Sequence, residues 1–466
     1  MRPGWRHALL VAGMALLLSS CAAFRSYDAE LYPALEQASS GNVEGAIRLL
    51  EANNRLPDKD LLYFMELGML QRLGSRYDES QKAWMAAEAR IAASDGFAEI
   101  ANLVSGTSSY VLNDKLRAYQ GHDYERVMLL TYMALNHLAR GDYERARVAI
   151  RQTHEFEAQV AELRGKQYEE VEEEAKKRGA RTSVRDLNGY PVETIDNAEV
   201  NALRNSYQSA LSHYLAGFVY EALGEASLAA PGYRLANELQ PGRPLLEEAL
   251  RGLDERMAAA DDGMTDVLFI IGTGTAPALQ SRQFVLPVWV QGRFLVLPHA
   301  FPIITTTSTP AAPRQLTIED RVFPAEAITS IDAMARRRLK DDMPAIMLRA
   351  TIRTATAAVL QYQTQKLGDR QSLATALASA AITVGSAAFA SADDRTWRAL
   401  PSDIFIARGR LPRGVHSVTL ETSAGPRSAR VELFGRYAVV DFRLLRQQVF
   451  VNAPKAPVVS GGGPRP

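Results

Sequence analysis

The sequence holds a single cysteine, Cys21, in 466 residues, which excludes an internal disulfide framework and any multi-cysteine zinc site. It has no net charge, since 53 Lys and Arg balance 53 Asp and Glu. Its seven histidines include no His-Glu-x-x-His, so metal catalysis has no motif behind it. Collagen-like and wholly disordered classes are excluded by composition. What is present is 47% hydrophobic residues with four Trp, 17 Tyr and 15 Phe, enough for at least two conventional cores.

The balanced total conceals two unlike halves. Residues 22–262 carry 27 basic and 39 acidic side chains, whereas residues 263–466 carry 24 and 14. Fields of opposite sign either draw the halves together or orient the molecule at a charged surface. The alternative is two separately solvated surfaces, with screening beyond about 8 Å at physiological salt.

Arg2 and Arg6 precede an apolar run from Ala8 to Leu18, which ends in Leu18-Ser19-Ser20-Cys21. The run is too short to cross about 30 Å of hydrocarbon comfortably, so residues 1–20 read as a secretory signal peptide. The last four residues resemble the bacterial lipobox, whose cysteine is acylated, and this implies that Cys21 carries the lipid anchor of the mature chain. The competing reading is an ordinary secreted protein with an incidental cysteine. Ala22, rather than aspartate, follows the cysteine; by the lipoprotein sorting pattern this implies the outer membrane, lipid-anchored on the periplasmic side.

From Tyr27 to Met257 apolar residues recur at three- and four-residue spacing with glycine turns between, which predicts helix after helix. The clearest unit has Gly217, Tyr220, Gly224, Ala229, Tyr233, Ala236 and Pro241 at the offsets of the tetratricopeptide pattern. Small residues at 217, 229 and 236 let two antiparallel helices approach while the tyrosines fill the space between them. Weaker copies hold Leu67, Gly68, Tyr77, Ser80, Trp84 and Ala87; Ala134, Gly141, Tyr143 and Ala146; and Ala34, Gly41 and Ala46. A tetratricopeptide-like solenoid over 22–262 is expected, with a generic helical bundle as the alternative. Its concave face is expected to take a protein partner. Glu155 to Gly179 predicts a polar helix that is either a solvated extension or an arm that meets a partner.

Past Gly263 the pattern turns to strands at Val267–Ile271, Phe284–Val290 and Phe294–Leu297. Helices are predicted at Pro324–Lys340 and Ala345–Lys366, split by Asp341-Asp342-Met343-Pro344. Antiparallel strands then follow at Ile404–Ala407, Val415–Glu421, Arg430–Phe434 and Tyr437–Phe442. Residues 263–454 are therefore expected to form an α+β, sandwich-like domain with a helical insertion, followed by a disordered tail over 455–466. Gln371–Ala392 has no charge, yet its Ala, Ser, Thr and Gly gain little from hydrocarbon. It reads as a packed core helix, or as a small-residue helix that meets a membrane helix or oligomerises.

Chemistry is sparse. Gly272-Thr273-Gly274-Thr275 follows a strand as a phosphate loop would, but Pro277 stands where the third glycine belongs and no Gly-Lys-Ser/Thr follows. His122, His137, His154 and His213 lie in the repeats, where packing or surface roles are the default. Glu319-Asp320, Asp341-Asp342 and Asp393-Asp394 could serve as acid and base only if folding brings two carboxylates within roughly 5–9 Å across a cleft. Arg395, Trp397, Arg398, Arg408, Arg410 and Arg413 are candidates for an aromatic and guanidinium surface suited to anionic envelope polymers. The alternative places Trp397 in the core. No cofactor, metal, catalytic residue or nucleic-acid partner is expected.

The stretch Asp393 to Pro401, continuing through Ile404–Arg408 and Leu411–His416, resembles an uncharacterised family of bacterial tetratricopeptide-bearing lipoproteins. The likeness extends to Tyr124-Glu125-Arg126, Ala134-Leu135-Asn136, Gly141–Val148, the unit around Tyr220, and Leu339, Pro344 and Arg349. The resemblance implies an envelope compartment and, from the family's gene neighbourhood beside lipoprotein activators of peptidoglycan synthases, a part in envelope assembly. The expectation is a scaffold that recruits protein partners for envelope biogenesis. Its rival is an enzyme on peptidoglycan or exported polysaccharide, acting through the second domain.

Overall fold

The computed structural model describes residues 26–54, 59–93, 118–290, 293–305, 313–367, 391–422 and 425–454. Residues 1–25, with the expected signal peptide and Cys21, nearly all of the uncharged segment 371–392 and the tail from Lys455 lie outside the described residues.

Four helix pairs build the first half: α1 (Tyr27–Ser39) with α2 (Val43–Asn53), α3 (Leu61–Leu73) with α4 (Tyr77–Ala93), α5 (Asp123–Leu138) with α6 (Tyr143–Arg178), and, past the short α7 (Ala198–Ala202), α8 (Ala210–Ala222) with α9 (Ala226–Leu239). One register runs through all four. A small residue on the first helix stands sixteen positions before a large one on the second: Ala34 and Leu50, Gly68 and Trp84, Ala134 and Ile150, Gly217 and Tyr233. A Cβ on Gly217 would fall 2.6 Å from the Tyr233 ring, so the small residue is what lets the pair close. Seven positions after the small residue the turn is left-handed in every pair, at Gly41, Ser75, Gly141 and Gly224, with φ of 89°, 54°, 74° and 81°. Asn42, Asp60 and Asp142 cap the helices that follow them by accepting the N–H three residues on.

Helices α10 (Pro244–Arg251) and α11 (Leu253–Ala258) close the array, and the chain turns to strand at Met264. The second half contains β1 (Met264–Thr273), β2 (Leu279–Val290), β3 (Arg293–Ile304), β4 (Gln315–Ile318), β5 (Arg321–Pro324), β6 (Glu326–Ser330), α12 (Ile331–Leu367), β7 (Asp403–Pro412), β8 (Gly414–Thr422), β9 (Gly425–Leu433), β10 (Tyr437–Leu445) and β11 (Gln448–Asn452). They form a five-stranded sheet in the order β11-β10-β1-β7-β6, a four-stranded sheet β5-β4-β8-β9, and the ribbon β2-β3. The second half is thus rich in sheet, as expected, with one correction to the antiparallel closing strands: β10 runs parallel to β1, so the five-stranded sheet is mixed.

Strand β1 explains the layering. Its Val267, Phe269 and Ile271 face the four-stranded sheet and join Leu316, Ile318, Val418 and Leu420 in one core. Leu268 and Ile270 point the other way, into a second core shared with Leu62, Met128, Leu215, Ile404 and Val439. Alternation with period two thus buries both faces of the strand, one on sheet and one on helix. The two halves share this helical core.

Two helix expectations are corrected. Pro324 ends β5 and Glu326–Ser330 is β6, and α12 then runs without a break through Asp341-Asp342-Met343-Pro344. Pro344 removes only the bond to the Lys340 carbonyl, while burial of Leu339, Met343, Met347 and Ala350 holds the helix on both sides of it. The polar stretch 155–179 is the distal part of α6 and is not wholly solvated. Its Val171 and Ala175 pack on Leu348 and Ile352 of α12. Among the described residues, no helix is long and apolar enough to cross a membrane.

Candidate functional site

The first helices of three pairs converge on a stretch of the chain without helix or strand, Ser391–Leu400, which the second half sends back into the repeat array. Glu66 on α3 accepts the N–H of Arg398 at 2.7 Å and that of Ala399 at 3.1 Å. On α5, Glu125 accepts the Trp397 N–H at 2.6 Å and the Thr396 hydroxyl at 3.0 Å. From α1, Asp28 takes the Arg398 guanidinium at 2.6 Å, and the Tyr27 N–H donates to Asp394 at 3.2 Å. Two carboxylates thus hold three consecutive backbone donors. The Trp397 ring fills the space between Trp84 and Tyr132, with centroids 6.2 and 6.5 Å away.

Burial sets the electrostatics of this clamp. It pushes the Glu66 carboxyl up to about 8, although the two backbone N–H groups and the Arg398 charge pull it down. Glu125 is raised for the same reason, against hydrogen bonds from Tyr119, His122 and Trp397. His122 is held well below its ordinary value by burial and by Arg338.

A second cluster joins the last repeat to the five-stranded sheet. Arg408 of β7 donates to both Asp266 oxygens at 2.9 and 2.7 Å, to Glu221 of α8 at 2.7 Å and to the Tyr233 hydroxyl at 3.0 Å. Arg256 of α11 takes both Glu221 oxygens, at 2.8 and 3.0 Å, and Tyr233 donates to the same carboxylate at 2.6 Å. Burial raises the Glu221 carboxyl, but Arg256 and Arg408 outweigh it and hold it below its ordinary value. Further along, Arg72 of α3 meets Asp441 of β10 at 2.9 Å with both side chains buried.

The candidate aromatic and guanidinium surface is therefore corrected. Trp397, Arg398 and Arg408 lie inside the junction of the halves, and Arg395 folds onto Asp393 over the Tyr119 ring. Arg410 and Arg413 remain exposed, paired with Asp262 and Asp261 at 2.8 and 2.6 Å. The opposed charges of the halves thus serve to dock them: Arg398, Arg408, Arg410, Arg413 and Arg446 each meet an acid of the first half. Gly217, Tyr220, Ala229, Tyr233 and Ala236 are all buried in α8 and α9, and Pro241 follows the end of α9.

Four of the six carboxylates in the acidic pairs are held by basic side chains. Asp341 is bound by Arg337, Asp342 by Arg164 and Arg338, Asp393 by Arg395, and Glu319 by His416. Gly272–Thr275 leads through a loop into β2, with no helix to receive a phosphate. His154 and His213 stack at 5.0 Å between α6 and α8, and among the described residues no group of His, Cys, Asp and Glu could hold a metal ion.

Sequence reasoning missed Glu66, Glu125, Glu221 and Asp266. The signal that was available is their setting: Glu66 and Glu221 lie inside apolar helices and Asp266 opens an apolar strand, where a carboxylate is retained only if it is partnered, whereas Glu125 stands in the first turn of α5 as a capping residue and gave no such signal.

An open cleft of 710 Å³ adjoins the Arg408 cluster, between α10, α11 and residues 259–262 on one side and β1 and β7 on the other. No protein-family model matches the chain, and no curated protein is similar to it. Among solved structures it is similar to a tetratricopeptide repeat protein from Parabacteroides merdae at 14% identity, over 49% of this chain and 98% of that one, with a TM-score of 0.13.

Proposed function

We propose that the protein is a lipid-anchored scaffold on the periplasmic side of the bacterial outer membrane, which recruits protein partners for cell-envelope biogenesis, including the regulation of peptidoglycan synthesis. The supporting observation is how the helix pairs handle a chain segment: Glu66 and Glu125 grip Trp397–Ala399 through its backbone, and Trp397 fills a pocket lined by Trp84 and Tyr132. Helical repeats that hold a chain segment in this way are suited to a platform. Because the first helices of three of the four pairs are spent on the protein's own segment, partners are assigned to the second helices, which expose Met85, Val148 and Leu228.

Photo-crosslinkers placed at 85, 148 and 228 in native membranes test this. The scaffold reading expects a recurring envelope-assembly protein at these positions, lost when Cys21→Ser releases the chain from the membrane. Loss of cellular function from Asp320→Ala or His416→Ala, with fold and crosslinks intact, would favour the enzyme reading instead.

A further inference from the structure

The 710 Å³ cleft falls within the roughly 300–1,000 Å³ typical of small-ligand sites. Four of its five guanidinium groups are already committed, and the fifth, Arg251, is exposed and lies 3.8 Å from both Glu247 and Glu248. Arg408 is spent on Asp266 and Glu221, Arg256 on Glu221, Arg410 on Asp262, and Arg436 on the carbonyls of Arg256 and Ala259 at 2.6 and 2.8 Å. Its acceptors are not all used. The Glu326 carboxylate takes the Leu245 N–H on Oε1 at 3.1 Å, while its buried Oε2 has no partner. Pro244, Leu245, Ala249, Met264 and Pro324 supply an apolar wall beside it.

A site with spent donors, a spare carboxylate oxygen and an aliphatic wall matches a ligand that brings its own donors on a hydrocarbon stem. We propose that this cleft binds a primary ammonium group on an alkyl arm, the end of a lysine-like side chain, with Glu326 as its counter-ion. The methylenes lie along the apolar wall, as lysine stems do on protein surfaces. Carboxylate-bearing ligands are disfavoured by Glu326 and by the other acids of the lining, Glu247, Glu248, Glu255, Asp261, Asp262 and Asp266, which together outnumber its five arginines. This assignment is independent of the scaffold reading and stands or falls alone.

The test uses the full chain with pentylamine as the probe, and with 1-pentanol and pentanoate as neutral and anionic counterparts, followed by saturation-transfer NMR and titration calorimetry. Pentylamine is expected to bind at least about tenfold more tightly than either counterpart. Glu326→Gln, which keeps an acceptor for Leu245, should remove that preference while leaving pentanol unchanged. Ala260→Trp, which narrows the mouth of the cleft away from Glu326, should weaken all binding and decides the matter if the first variant does not fold. Equal or better binding of pentanoate overturns the assignment, as does pentylamine binding that neither variant alters, or no binding at about 10 mM.

Discussion

The backbone N–H of Trp397 donates to the carboxylate of Glu125 at 2.6 Å, across 272 residues of sequence. This bond sits where the first helices of the repeats meet a segment of the second half, and the indole beside it belongs to the same core as Trp84 and Tyr132. Such sharing ties the stability of the helices to that of the sheet.

Trp397→Ala should therefore destabilise both halves together. Removing a fully buried aromatic costs about 3–5 kcal/mol, because transfer and cavity terms add. Urea unfolding followed by circular dichroism at the helical band, with hydrogen exchange of β1, should show one transition displaced as a whole. Helices that keep their midpoint while β1 opens early would mean that the halves are separate folding units.

The left-handed turns of the repeats give a prediction of opposite sign. Ser75 holds φ 54° where the other three units have glycine. Ser75→Gly should stabilise the protein by about 0.5–1 kcal/mol, since the strain of a side chain in this region is relieved. Gly232→Ala should do the reverse: its Cβ would lie 2.7 Å from the Gly217 nitrogen and 2.8 Å from the His213 carbonyl, both backbone atoms that cannot step aside. An overpacking cost of about 1–3 kcal/mol is expected, read as a lower urea midpoint.

These two residues also mark what was legible in the sequence. The helix pairs were, because a small residue at 217 and an aromatic at 233 are local, periodic signals that need no knowledge of the rest of the chain. The strands with strong β-branched runs were legible for the same reason, whereas β4, β5, β6 and β11, at four or five residues each, are too short for alternation to stand out. What could not be read was pairing at a distance. The arginines from 395 to 413 look like a surface on their own, and only the fold brings Asp28, Glu221, Asp261, Asp262 and Asp266 to meet them. Likewise Pro344 signals a helix end locally, but burial of Met343 and Met347 overrides it.

The clamp should make stability depend on pH above neutrality. Glu66, raised by burial from 4.5 to about 8, keeps in the folded state a proton that the unfolded chain has lost. Its contribution is fully present below 4.5 and is lost as pH rises through 8. His154 works in the other direction, lowered by burial and by His213 from 6.5 to about 4, so its contribution is present above 6.5 and lost as pH falls through 4. Between pH 6.5 and 8 His154 is already neutral in both states and the Glu66 slope remains, at most about 1.4 kcal/mol per pH unit for one proton. Melting temperature should decline over that window in the native protein. In Glu66→Gln the decline should shrink, and an unchanged slope in that variant would place the proton elsewhere.

The charge split between the halves predicts two kinds of ion pair with different responses to salt. Arg408 has a nearly buried side chain between Asp266 and Glu221, and Glu221 is wholly shielded from solvent. Arg408→Ala leaves Asp266 without its counter-ion and Glu221 with Arg256 alone, in a setting where breaking a buried pair costs about 3–5 kcal/mol. The loss should be the same at low and high salt, because mobile ions do not reach the pair. Arg410→Ala breaks a pair whose two side chains are each half-exposed, so its effect should be small and should vanish as salt is added. Urea midpoints of both variants at about 0.05 and 0.5 M NaCl separate the two cases. If the Arg408→Ala penalty also disappears in salt, Arg408 is reached by solvent and the junction of the halves is looser than its hydrogen bonds imply.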